Sequence, residues 1–344
     1  MKSNNRYDSL DMMRIVAAVL VVSLHVRTLP ICGILADIAK LSVPFFLMCS
    51  GFFLYSEEDY LDKHRAIRGI NKSIRLLIES VIFYLVLDYI LWHDLIRIKS
   101  GLMTFFSIDF WLFSDMPFAP VSWYLSAYVY SVVFIYVIHK YLGRKTVYVF
   151  SVLGIVYWFI IGSYQSLFFT QQIELRYSCC WINCYPFVVI GMLMKQYEEK
   201  FCELITRIGS TKTVIIIIVF VVTSLVEHWF LKKVTGMPVN GTGFISTFLL
   251  VLLLFAYLLK YKNMGGVLSY VGRLYSMQVY IYHVAVNYIL CRLFYTEGKF
   301  DMEPLFVLPF SPIWLVNFIV IPIFVILLTF IYSRIKLCIL KIIF

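Results

Sequence analysis

The chain has 344 residues, 61% of them hydrophobic and only 15% charged, with a mean hydropathy of +0.85. A soluble domain averages about 45–50% apolar and about 25% charged, so the composition excludes a soluble enzyme and implies an integral membrane protein. The net charge of +10 is then read against a bilayer before a nucleic acid, and no nucleic-acid partner is expected.

Long apolar runs recur at 12–28, 34–55, 74–92, 121–139, 146–163, 179–195, 213–231, 243–260, 267–293 and 311–335. Most approach the roughly 20 residues a helix needs to cross the hydrocarbon core. A bilayer admits only helices or a closed barrel. Runs such as VIIIIVFVV (214–222) do not alternate, so these are helices. The expected fold is all-α, a polytopic bundle of about ten transmembrane helices. Segment 102–114, LMTFFSIDFWLFS, is too short to span and is expected to be interfacial or re-entrant.

Charge sets the orientation. With the N-terminus in the cytoplasm, the inside segments carry nineteen Lys and Arg residues and the outside segments nine. This follows the positive-inside rule and predicts a multi-pass protein of the cell membrane with both termini cytoplasmic. Span 1 lacks a small-residue cleavage site and reads as an internal signal anchor. The expected organisation is one membrane domain over 1–344, with no soluble C-terminal domain. Cys179, Cys180 and Cys184 cluster near an outer helix end, but C-C-x3-C is no usual zinc spacing. They read as buried free thiols, and no metal is expected.

The first span holds RIVAAVLVVSLH (14–25), two ionisable groups closing an otherwise apolar run. Eleven residues on a helix amount to three turns plus about 20°, so Arg14 and His25 share a face, about 16 Å apart along the axis. Asp11 lies about 40° from the same line. Charged groups at such depth usually face a bundle interior or a watery cavity. The shared stripe therefore points to a path or site through the protein.

D-x-x-R-x10-H, here Asp11, Arg14 and His25, resembles the first span of the membrane acyltransferase-3 family. VPFFLMCSGFFL (43–54) resembles that family's F-F-x-x-S-G element, with Phe45, Phe46, Ser50 and Gly51. NKSIRLL (71–77) resembles its arginine before span 3, at Arg75. SWYL (122–125), PFVVIG (186–191) and YSMQVYIYH (275–283) resemble three further elements in order. Val284 departs from the proline that commonly follows the late histidine, and Cys49 is unusual before the serine. The region also resembles the membrane halves of the serine racemases linked to vancomycin resistance.

The resemblance implies acyl transfer, most often acetyl, from a cytoplasmic acyl-CoA to an extracytoplasmic hydroxyl. It implies His25 as general base or covalent carrier, with Arg14 and Asp11 beside it in the catalytic set. Ser50, Trp123, Tyr124 and Tyr280 are candidate oxyanion donors, and His283 a candidate substrate contact. Arg14, Arg75 and Arg273 are expected to converge on the phosphates of coenzyme A, which suit guanidinium groups. The acceptor class implied is a cell-envelope carbohydrate or another hydroxyl compound. Glu227 and Asp88 read as solvated helix ends, with the orienting of a histidine as the other role. His64, His93, His139 and His228 read as solvated or interfacial. The rival readings are a transporter or flippase without acyl chemistry, and a module importing an amino acid for cell-wall modification. Oligomeric state is not legible.

Overall fold

In the computed structural model, residues 6–25, 36–92, 95–104, 106–113, 120–174, 177, 180–237, 239, 243–294 and 320–331 are described. Helix α1 (Asp8–His25) starts with two acids in its first turn, where the positive end of the helix dipole favours them. Helix α2 (Ser42–Leu54) continues a short turn at 36–39. Its Pro44 sits in the first turn, where a missing N–H breaks no helical bond. A two-residue hairpin follows, β1 (Tyr55–Ser56) against β2 (Tyr60–Leu61).

Asp62 then caps α3 (Lys63–Trp92) by accepting the Arg65 N–H at 2.9 Å. That bond holds the Asp62 carboxyl below the usual carboxylate range. At 1.5 Å per residue α3 is about 45 Å long, more than the hydrocarbon core of about 30 Å. Its basic first third therefore projects beyond the bilayer. The segment expected to lie at the interface forms two short helices, α4 (Leu95–Thr104) and α5 (Ile108–Phe113).

Helices α6 (Trp123–Leu142) and α7 (Arg144–Ile161) turn back on each other at Gly143, whose φ of 82° favours glycine. There follow α8 (Trp181–Gln196), the amphipathic α9 (Glu198–Ile208), α10 (Ser210–Thr235), α11 (Ile245–Lys260), α12 (Gly266–Phe294) and α13 (Val320–Ile331).

Among the described residues, four helical stretches are long and apolar enough to cross a membrane: Ala36–Leu54, Trp123–Leu142, Arg144–Ile161 and Ser210–Thr235. This is fewer than the ten expected, for physical reasons. Helices α8 and α11 have 16 residues each, and α1 carries Asp8, Asp11 and Arg14. The rest of run 311–335 lies outside the described residues.

Two close crossings organise the bundle. A β-carbon on Gly51 of α2 would stand 1.9 Å from the Val188 carbonyl oxygen of α8. One on Gly191 of α8 would stand 2.0 Å from the Met48 carbonyl oxygen of α2. Likewise one on Gly272 of α12 would stand 1.8 Å from the Asp11 carbonyl oxygen of α1. In lipid no hydrophobic drive brings helices together, so small residues that let backbones touch do that work.

Polar clusters tie both ends. At the basic end the Lys195 ammonium donates to the Tyr7 hydroxyl (3.0 Å) and to Glu198 (2.7 Å), and Tyr7 donates to Glu198 (2.9 Å). At the other end Asp37 is buried and meets His228 (2.9 Å) and Lys40 (3.0 Å). His228, read as solvated or interfacial, is partly exposed and also has this carboxylate partner. Glu227 accepts the Ser246 N–H (3.3 Å) at the start of α11 and the Tyr164 hydroxyl (3.0 Å). It caps a helix, and among the described residues no histidine is paired with it. Asp88 is buried, not a solvated end. Cys49, Cys180, Cys184 and Cys202 are free thiols. Cys179 lies outside the described residues.

Candidate functional site

The α1–α12 crossing brings His25 and His283 together, with ring centroids 4.9 Å apart and planes at 48°. His25 is half-buried in the last turn of α1, and His283 is 0% exposed. The His283 Nδ1 lies 2.8 Å from the Tyr280 carbonyl and 3.1 Å from the Val279 carbonyl. Both are acceptors, so Nδ1 carries the proton.

Close by, the buried Tyr84 of α3 enters α12. Its hydroxyl donates to the Ile281 carbonyl (2.6 Å) and accepts the Ala285 N–H (3.2 Å). In an unbroken helix those two groups bond each other. A side chain set between them opens the ladder and anchors the turn that carries His283.

One turn below His283, Tyr280 packs with Tyr124 of α6 (5.4 Å between rings) and Phe46 of α2 (5.8 Å), and Phe46 meets Tyr124 at 6.2 Å. The Tyr124 hydroxyl lies near Ser50, whose own hydroxyl donates to the Phe46 carbonyl at 3.0 Å. Ser50 has thus spent its proton. Trp123 opens α6 and is half-buried against the core.

Arg14 lies below this aromatic layer and pairs with Asp11 at 3.4 Å. Its charge reaches Tyr124, Cys49 and Lys72. Three helices besides its own, α2, α3 and α6, thus lie within electrostatic reach of the one guanidinium.

A pocket of about 350 Å³ opens beneath, lined by Ser50, Phe53, Leu54, Arg65, Arg68, Gly69, Lys72 and Tyr128. Gly69 makes room for the Tyr128 hydroxyl, which would lie 2.6 Å from a β-carbon there. Three cations share this wall with Ser50.

The expected arginine trio does not assemble as a unit. Arg14 and Arg75 both act on Lys72, but the Arg75 side chain is 71% exposed and pairs with Glu79 at 3.3 Å. Arg273 is exposed, and its guanidinium lies over the Tyr270 ring at 5.6 Å. The pocket cations, Arg65, Arg68 and Lys72, were not among the expected site residues. Their spacing of three and four puts them on one helical face, a signal available once α3 is known to start at Lys63.

With this geometry in hand, residues 7–334 match the family model of the acyltransferase 3 type, described as an acyltransferase domain. The chain belongs to the acyltransferase-3 family. No curated protein and no solved structure matches it. As an acyltransferase-3 protein it is a membrane acyltransferase. Its D-x-x-R-x10-H element is the α1 stripe, its F-F-x-x-S-G element supplies Phe46 and Ser50, and its W-[FY]-L element supplies Trp123 and Tyr124.

Proposed function

We propose that the protein transfers an acyl group, acetyl in the simplest case, from a cytoplasmic acyl-CoA to a hydroxyl of an extracytoplasmic or membrane-associated acceptor. A cell-envelope carbohydrate fits that description. The observation that carries this reading is the pocket in which Arg65, Arg68 and Lys72 share a wall with Ser50. Guanidinium and ammonium groups suit the donor's phosphates. The positive-inside bias argues that this mouth faces the cytoplasm. From Ser50 the line Tyr124, Tyr280, His283 leads to His25, a route along which the pantetheine arm would lie.

At its far end the acceptor hydroxyl gives its proton to His25. The hydroxyl oxygen bonds the thioester carbonyl carbon, the C–S bond breaks, and the proton passes from His25 to the leaving thiolate. In a covalent route a His25 nitrogen bonds the thioester carbon, the C–S bond breaks, and the proton shed by the imidazolium leaves with the thiolate. The acceptor oxygen then takes the acyl group from the acyl-imidazole, whose released nitrogen regains the acceptor's proton. Tyr124, Trp123 and Tyr280 remain the oxyanion candidates, since the Ser50 proton is committed to Phe46.

Labelled acetyl-CoA and protein in nanodiscs test the donor site. Arg68→Ala should raise the donor KM by about tenfold with kcat little changed, the pattern of lost uniform binding. An unchanged donor KM would remove the phosphates from this pocket. Absence of coenzyme A release by the wild type would return the choice to transport.

Lys72 supplies a pH signature. Loss of solvent, and then the charges of Arg14 and Arg75, hold its pKa below the usual lysine range. A bound anion opposes those two charges and draws the pKa back up, so binding takes up a proton wherever free Lys72 has lost its own. Donor affinity should therefore weaken as pH rises through the depressed pKa. Lys72→Arg, which does not titrate there, should flatten that slope in calorimetric titrations. An equal slope in both proteins would refute the assignment.

A further inference from the structure

We propose that His283 is the positioning partner of His25. Its Nε2 lone pair accepts the His25 N–H and so turns the other His25 nitrogen toward the acceptor hydroxyl. The role assigned here rests on the acyl-transfer reading.

His283 has already committed one of its two ring nitrogens. Its Nδ1 proton faces two carbonyls of its own helix, which fixes the tautomer and leaves Nε2 as a bare acceptor. That Nε2 is buried and has no hydrogen-bond partner among the described residues. A buried acceptor without a partner is costly, and such an atom in a native fold calls for a reason. The ring beside it is His25, and a centroid separation of 4.9 Å leaves room for one N–H···N bond between facing edges. His283 cannot turn without losing its Nδ1 bonds, so the proposed contact is one that His25 makes to a fixed acceptor.

The surroundings hold His283 in place. Tyr84 pins the turn through Ile281 and Ala285. Val279, Tyr280, Val284 and Ala285 are all buried around it. A polar ring fixed this firmly, with one nitrogen unused beside a second imidazole, is an orienting group in the sense of the third member of a catalytic triad. Being neutral, it sets the His25 tautomer without adding charge to an apolar layer. The proton taken from the acceptor goes to His25 and on to the thiolate, and His283 gains and loses none.

Two variants separate this role from a structural one. The side-chain oxygen of Gln reaches the place of Nε2, whereas the amide of Asn reaches only the place of Nδ1. His283→Asn should lower kcat by about 10²-fold with the donor KM unchanged, and His283→Gln should stay within about tenfold of wild type. Gln as impaired as Asn, or Asn as active as wild type, overturns the proposal. A second measurement needs neither variant nor turnover. In 15N-histidine-labelled protein, the His283 Nε2 resonance should shift when His25 is replaced by Phe. No shift overturns the pairing even if transfer is measured. A shift in a protein that releases no coenzyme A leaves the histidine pair standing and rejects the acyl-transfer reading instead.

Discussion

His25→Ala is expected to lower acyl transfer by about 10²- to 10⁴-fold, the usual worth of a positioned general base, in a protein that still inserts and still binds its donor. The fold should tolerate the change because α1 is held elsewhere. Leu10, Ile15, Ala17, Ala18, Val21 and Val22 are among its buried residues, and the backbone contact with Gly272 lies at Asp11. The cationic pocket is remote, since Arg14 already stands about 16 Å from His25 along the helix. The assay follows coenzyme A release and label transfer from acetyl-CoA. Label retained on acid-quenched wild type but absent from the variant identifies the covalent route, and loss of turnover without such label identifies direct transfer. Full activity in a folded His25→Ala protein would sink the mechanism.

Gly191→Ala and Gly51→Ala should each destabilise the bundle by about 3 kcal/mol or more, the upper end of overpacking costs. The added carbon would meet a backbone carbonyl at 2.0 or 1.9 Å, and backbone has no alternative rotamer. The two helices must separate. Helix α2 carries Phe46 and Ser50 into the site, so separation also dismantles the route from pocket to histidines. Val222→Ala on the exposed face of α10 is the control and should melt like wild type. Thermal stability in detergent, read by size-exclusion chromatography, measures all three. Wild-type melting of Gly191→Ala would show that the crossing has slack.

Much of the site was legible before any coordinates. The D-x-x-R-x10-H stripe needed only helical periodicity, because both groups lie on one helix and their angle follows from spacing alone. The meeting of His25 with His283 does not follow from spacing within either helix. Whether α1 lies against α12 depends on Gly272 admitting the Asp11 backbone, a steric fact about two segments 261 residues apart in the chain. The pocket cations were overlooked for a different reason. Hydropathy finds the part of a helix inside lipid, and Arg65, Arg68 and Lys72 lie on the part of α3 that outruns it. Tyr84 gave no signal, since a lone tyrosine in a span reads as an interfacial aromatic until its hydroxyl is seen inside a neighbouring helix.

By itself, then, the sequence determined that the chain lives in a membrane, that it is helical, which family's motifs it carries in order, and that Arg14 and His25 look the same way. These follow from composition, from the cost of unpaired backbone in lipid and from a fixed rotation per residue. Only the tertiary structure decided which cations gather around one pocket, that Arg273 turns away onto Tyr270, and that His283 keeps a bare nitrogen beside His25. Those depend on which helices touch and how closely. In a bilayer that is settled by backbone approach and side-chain shape, which no pattern along one segment records.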